Sequence, residues 1–134
     1  MNRSHSHTIL LGLLVIIGFS VISPVQAHPP ANITLAYDKD TKILSVSISH
    51  SVSDASTHYI NKVEVKRGSE VLVSQSYTSQ PSTSSFTYEY NVDAAEGEVL
   101  TVIAYCSVSG SDSETITISS DSGSSRTENI SALW

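Results

Sequence analysis

Four side chains from residue 28 onward carry the imidazole or thiol groups that commonly bind transition metals. They belong to His28, His50, His58 and Cys106, and Cys106 is the one cysteine of the chain. Neutral imidazole and thiolate form a borderline-soft ligand set, which suits iron, zinc or copper rather than magnesium or calcium. The residue types therefore predict a transition-metal site with these four as candidate ligands.

Seven strand-like runs follow one another between residues 32 and 119 and must position these ligands. Most are rich in β-branched or aromatic residues, alternate polar with apolar residues, and are bounded by Gly, Pro, Asp or Ser. No window shows the 3.6-residue apolar period of a helix. The pattern predicts an all-β fold, a seven-stranded antiparallel β-sandwich of immunoglobulin-like type. The predicted strands are Asn32–Asp38, Lys42–His50, His58–Arg67, Glu70–Thr78, Thr83–Asn91, Gly97–Cys106 and Ser113–Ser119.

The alternation within these strands places three of the candidate ligands together. In the second strand Leu44, Val46 and Ile48 share the apolar face, and His50 is the next residue on that face. In the sixth strand Cys106 follows the apolar residue Ala104 in the same way. His58 opens the third strand after a short loop, which would return it to the end of the fold that holds His50. We therefore expect these three side chains to meet at one end of the sandwich, with His28 on a nearby N-terminal arm.

The first 27 residues have the pattern of a secretory signal peptide. A segment with one arginine precedes an apolar run, and Val25 and Ala27 mark a cleavage site. The run is shorter than the about 20 residues that a spanning helix needs. We expect cleavage after Ala27, secretion, and no membrane span in the mature chain. An uncleaved segment would instead anchor the protein in the membrane.

The rest of the chain is predicted to form one domain and a tail. Residues 28–119 contain all seven strands and have the length of a single domain with one modest core. Residues 120–134 are rich in serine and lack periodicity, which is typical of a flexible tail. The formal net charge is −6, and this acidic balance argues against nucleic acid or an anionic lipid surface as a partner.

The single cysteine is informative in a secreted chain. Small secreted domains usually contain disulfides, yet Cys106 has no partner within this chain. A free thiol outside the cytoplasm is exposed to oxidation, and a bound metal would protect it. Taken alone, Cys106 is also explained as a small buried residue, and His50 and His58 as structural residues. Taken together, the three favour a site.

Three short segments resemble the iron-binding domain of desulfoferrodoxin, in the superoxide reductase family. The segment "SHSVSDASTHYI", which contains His50 and His58, is similar to the family's His-Pro-Met and His-Tyr-Ile segment. The segment "VIAYCSVSG", which contains Cys106, is similar to its Ala-x-Cys-Asn-x-His-Gly segment. The segment "HPPANI", which begins with His28, is similar to its His-x-Pro segment. The resemblance keeps the order of the ligands and covers about residues 28 to 118.

The resemblance implies a mononuclear iron (Fe2+/Fe3+) that reduces superoxide, or another small oxidant, with an electron from an unidentified donor. In the family, four histidines and one cysteine hold the iron and leave one position open. His28, His50, His58 and Cys106 would be the ligands in this chain. The fourth family histidine falls on Ser109, a poorer ligand, and the family's Glu-Lys pair before the first histidine is absent. The resemblance thus predicts an iron site with weakened superoxide reduction.

Two other functions fit the same residues. One is a metal-binding module without catalysis, with copper as the alternative to iron. After cleavage, the N-terminal amine and the imidazole of His28 would chelate copper together. The axial methionine of common copper sites is absent after Ala27. The other function is an immunoglobulin-like structural module whose metal site has decayed. Among these alternatives, the protein is an enzyme only where the iron site is functional.

Overall fold

The computed structural model of the protein describes residues 28–120. Within this range the chain forms seven β-strands and no helix, which confirms the all-β prediction. The predicted signal peptide (residues 1–27) and residues 121–134 of the predicted tail lie outside the described residues. None of the described residues form a helix able to cross a membrane. The strands are β1 Asn32–Asp38, β2 Ile43–Ser49, β3 Ile60–Arg67, β4 Glu70–Ser76, β5 Ser85–Asn91, β6 Val99–Cys106 and β7 Ser111–Thr117.

The seven strands form two sheets in which all neighbouring strands are antiparallel. One sheet has the strand order β1-β2-β5, and the other has the order β4-β3-β6-β7. Every predicted strand is present, and the differences lie at strand ends. β2 ends one residue before His50, and β3 begins two residues after His58, so both histidines lie in connecting segments rather than in strands.

One hydrophobic core lies between the inner faces of the two sheets. Along β2 and β6 every second side chain is buried, as the period-two alternation predicts. Each fully buried aliphatic side chain stabilises the fold by about 1.5–3 kcal/mol relative to an exposed position. The core consists of Ile33, Leu35, Leu44, Val46, Ile48, Ile60, Val63, Val65, Phe86, Tyr90, Val92, Leu100, Val102, Ala104, Ile116 and Ile118.

The strand pairing brings the start of β3 to the end of β6. Ile60 lies opposite Cys106, and β3 and β6 run in opposite directions from this point. A β-bulge shifts the register between Ile60 and Lys62. Bulges are common next to functional sites, because they redirect side chains. We call this part of the molecule, which contains His50, His58 and Cys106, the histidine end.

Candidate metal centre

His50 follows β2 and continues the buried face of that strand. Its side chain is completely buried, at the position that the alternation predicts. Its backbone amide donates to the carbonyl oxygen of Ser84 at 2.8 Å, which keeps this segment paired with the residues before β5. A buried imidazole needs partners for both ring nitrogens, because unsatisfied buried polar atoms are costly. The partners of its two ring nitrogens therefore determine how His50 can bind a metal.

Cys106 is the last residue of β6 and points to the same interior. Its side chain is 7% exposed, and its thiol is free. The Sγ atom lies 3.0 Å from Nε2 of His58, within hydrogen-bonding distance. A thiol and an imidazole nitrogen, two of the common ligands of transition metals, are therefore adjacent.

The loop between β2 and β3 directs His58 toward Cys106. Asp54 shapes this loop, because its carboxylate accepts hydrogen bonds from the amide and the hydroxyl of Ser56 at 2.8 and 2.6 Å. The carbonyl oxygen of Asp54 also accepts from the amide of His58 at 3.0 Å. His58 is partly buried, and this burial, with His50 and His28 nearby, lowers its pKa. The lowered pKa favours the neutral imidazole that binds metals.

His50, His58 and Cys106 converge at the histidine end. One potential ligand atom from each residue lies within 4.8 Å of the other two. The rings of His50 and His58 have centroids 4.8 Å apart and are nearly perpendicular, at 82°. This is the convergence that the strand ends predict, and the group could bind a metal ion.

His28 lies beside this group but is not part of its compact set of ligand atoms. Its ring centroid is 5.9 Å from that of His50 and 5.8 Å from that of His58, and its side chain is exposed. Its carbonyl oxygen lies 3.3 Å from Nε2 of His50. Metal binding by the His28 imidazole therefore stays a prediction, and the carbonyl oxygen of His28 is a further potential donor beside the group.

The N-terminal arm is held against the site by two contacts. The amide of Ala31 donates to the carbonyl oxygen of Ser49 at 2.8 Å. Pro29 packs against Gly110, so that a Cβ atom added to Gly110 would lie 3.2 Å from the Cβ of Pro29. The carbonyl oxygen of Gly110 accepts from the amide of Cys106 at 2.9 Å. The arm and the connection between β6 and β7 are thus joined next to Cys106.

Gln80 is a candidate functional residue that the sequence did not reveal. It lies between β4 and β5 in the segment "TSQPS", whose composition is typical of an exposed turn. Its side chain is nevertheless only 5% exposed. Its Oε1 atom lies 2.8 Å from Nδ1 of His50 and 3.2 Å from the amide nitrogen of Ile60. A buried glutamine beside a candidate ligand is informative, but only the folded structure shows its burial.

The histidine end offers little positive charge to an incoming anion. Lys62 follows the bulge in β3, but its ammonium group pairs with Glu64 at 3.0 Å and lies over the ring of Tyr105. Ser109, at the place of the fourth family histidine, is an exposed and uncharged residue between β6 and β7. With a formal net charge of −6, the field of the protein disfavours the approach of anions.

The donor set of the compact group fits a transition metal. Two imidazoles and a thiol are ligands of iron, zinc and copper, and the group includes no carboxylate, which hard cations prefer. Comparisons with models of protein families, with curated proteins and with solved structures give no match. The chemistry of these residues is therefore the basis for a functional proposal, together with the three similar segments.

Proposed function

We propose that the protein is a secreted, iron-binding protein of superoxide reductase type, with iron held by His50, His58 and Cys106. The observation that carries this proposal is the convergence of three ligand atoms within 4.8 Å of one another. Imidazole nitrogens and a thiolate sulfur are common ligands of iron, so one ion between these three atoms would bind all three side chains. The signal-peptide pattern supports the secreted location.

The proposal includes an immunoglobulin-like arrangement of the two sheets. Its support is the strand order, in which β1, β2 and β5 share one sheet and β4, β3, β6 and β7 share the other. In the immunoglobulin fold, strands A, B and E likewise share one sheet, and strands C, F and G share the other. The ends of strands B and F and the start of strand C then surround the proposed site.

The residues of the proposed site have different tasks. His50 and His58 provide neutral imidazole nitrogens, and burial lowers the pKa of His58 in a way that favours this form. Cys106 provides a thiolate that the core shields from solvent oxidants. The exposed His28 provides a further donor from the arm.

The resemblance to superoxide reductases defines the proposed reaction. A ferrous ion at the site would supply one electron to superoxide, and two protons from solvent would complete its conversion to hydrogen peroxide. Cys106 would increase the electron density at the iron, as thiolate ligands do. Lys62 is paired with Glu64 and the chain is acidic, so the protein does not attract the superoxide anion. We therefore expect slow turnover that depends on an external electron donor.

A second candidate function is copper binding for electron transfer. The observation that favours it is the carbonyl oxygen of His28, 3.3 Å from Nε2 of His50. In electron-transfer copper sites two histidines and one cysteine bind the metal, and a backbone oxygen can replace the weak axial methionine. Here the His28 carbonyl oxygen would take the place of the missing methionine.

Metal loading followed by superoxide kinetics tests the proposed function. Purified protein is loaded anaerobically with Fe(II) or with Cu(II), and the decay of a superoxide pulse is recorded by absorbance. We expect the iron-loaded protein to consume superoxide and to form hydrogen peroxide. Ser109→His should tighten iron binding and should accelerate the reaction, because it restores the histidine that the resemblance to superoxide reductases places at this position.

The matched control is Ser69→His, in the exposed turn between β3 and β4 at the other end of the sheets. It adds the same side chain away from the site and should change neither iron binding nor the superoxide rate. Binding of copper but not of iron would favour the second candidate function. A protein that binds neither metal would be a structural module, and the proposed function would be wrong.

A further inference from the structure

The hydrogen bonds of Gln80 define the orientation of its side-chain amide. One end of the amide lies 2.9 Å from the carbonyl oxygen of His50 and 2.7 Å from that of Ser82. Carbonyl oxygens only accept, so this end must be the donating Nε2. The other end lies 3.2 Å from the amide nitrogen of Ile60, which only donates, so this end must be the accepting Oε1. Three backbone partners therefore fix the amide without reference to the imidazole.

This orientation determines which nitrogen of His50 carries a proton. Oε1 of Gln80 lies 2.8 Å from Nδ1 of His50, and an oxygen without a hydrogen can only accept. Nδ1 must therefore be protonated. In the neutral imidazole this leaves Nε2 of His50 with a free lone pair, and Nε2 is the nitrogen that faces the carbonyl oxygen of His28 at 3.3 Å.

A cation would suit the contact between Nε2 of His50 and the carbonyl oxygen of His28. A lone pair on Nε2 of His50 and the carbonyl oxygen of His28 are both acceptors, so they repel each other when nothing lies between them. A metal ion attracts both. The buried amide of Gln80 thus prepares His50 to bind a metal through Nε2, before any metal arrives.

We propose that Gln80 is a positioning residue, which holds His50 in the tautomer with Nδ1 protonated and Nε2 free for the metal. This inference rests on the proposed function for its consequence in metal binding. Histidine ligands commonly donate their second ring nitrogen to an outer partner, and the loss of such a partner weakens metal binding by about 10–100-fold. Gln80 would be that partner, with a neutral amide oxygen in the role often taken by a carboxylate.

Gln80 also has a structural role that a test must separate from the proposed one. Its Nε2 donates to two carbonyl oxygens, so it joins the residues after β2 to those before β5. Gln80→Met removes these two donations and also the acceptor for Nδ1 of His50. Gln80→Glu removes the same two donations but keeps an acceptor oxygen. The two variants therefore differ in the proposed role, whereas the structural loss is at least as large in Gln80→Glu, whose second carboxylate oxygen faces the two carbonyl oxygens.

The tautomer can be measured without any metal and without any variant. Nitrogen-15 NMR of the histidine rings in metal-free protein at neutral pH distinguishes protonated from unprotonated ring nitrogens. We expect His50 to show a protonated Nδ1 and an unprotonated Nε2. A protonated Nε2 in His50 would overturn the proposal, even if the protein binds metals well.

Metal affinity tests the consequence of this tautomer. Zn(II) affinity is measured by competition with a chromophoric chelator for the parent and for Gln80→Met, Gln80→Glu and Gln75→Met. Gln75 is an exposed residue of β4 whose amide donates to the carbonyl oxygen of the neighbouring Ser76, so Gln75→Met is the matched control and should bind like the parent. We expect Gln80→Met to lose about 10–100-fold in affinity and Gln80→Glu to stay within about threefold of the parent.

Equal losses in Gln80→Met and Gln80→Glu would contradict the positioning role, because they would trace to the shared structural change. If Gln80→Met does not fold, the NMR measurement on the parent protein decides the proposal. Failure of the parent protein to bind Zn(II) would be a different result. It would contradict the proposed function. The NMR measurement of the His50 tautomer would still test the role of Gln80 in the metal-free protein.

Discussion

Gly110→Ala should displace the N-terminal arm and thereby weaken metal binding. Gly110 has a φ of +82°, so an alanine there is strained by about 1–2 kcal/mol. Its new Cβ atom would lie 3.2 Å from the Cβ of Pro29, which must then move by a few tenths of an ångström. Pro29 directly follows His28, and Gly110 accepts the amide hydrogen bond of Cys106. We therefore expect a loss of about tenfold in metal affinity, at the low end for outer partners of a metal site.

Gly97→Ala separates backbone strain from the contact with the arm. Gly97 has a nearly identical φ of +83°, and a Cβ atom added there has nothing within 4 Å. Both variants should lose about 1–2 kcal/mol in the free energy of unfolding measured with urea, and both should stay folded. Only Gly110→Ala should lose affinity for Zn(II) in a chelator competition. Equal affinities of the two variants would refute the coupling between the arm and the site.

Two further predictions concern the loop that carries His58 and the tyrosines of the core. Asp54→Ala should weaken metal binding in the same competition assay, because it removes the two side-chain hydrogen bonds that stabilise the turn before His58. Asp38→Ala is the control, because it weakens a similar turn in which the carboxylate accepts from the amide of Asp40 at 2.9 Å. This variant should not change metal affinity. Similar losses of affinity in the two variants would contradict the role of Asp54. Burial, and then the hydroxyl of Tyr77 at 2.7 Å, raise the pKa of Tyr90. An unfolded tyrosine ionises at about pH 10, so the folded protein should lose stability as the pH rises above that value. Urea unfolding between about pH 8 and 11 should show a smaller loss for Tyr90→Phe, and equal losses would contradict this assignment.

The fold was predictable because its strands are locally consistent. Residues such as Leu44 and Val46 alternate with serines, so one register buries all the apolar side chains of β2. The strand ends were less predictable, because hydrogen bonds to distant segments determine them. The amide of His50 donates to Ser84, and that of His58 donates to Asp54, so neither residue continues a strand ladder.

The site was predictable in part for the same reason. His50 and Cys106 extend an alternation that the sequence displays, and their convergence follows from the antiparallel pairing of short strands. Gln80 was not predictable, because it lies in a turn-like segment without periodicity. Its burial depends on backbone groups of His50 and Ile60, 30 and 20 residues away, that only the complete fold brings together. Local patterns predict side chains on strands better than side chains on connections.

Iron binding by the parent protein and by Cys106→Ala tests the central claim most directly. Both proteins are loaded anaerobically with Fe(II), freed of excess metal, analysed for iron content, and oxidised while the visible spectrum is recorded. Val108→Ala, at an exposed residue of the connection between β6 and β7, is the control for the substitution. We predict one iron per chain and a sulfur-to-iron charge-transfer band for the parent and for Val108→Ala, and neither the band nor full iron content for Cys106→Ala. A parent protein without iron, or a Cys106→Ala variant with the same iron content and spectrum, would contradict the assignment of this site.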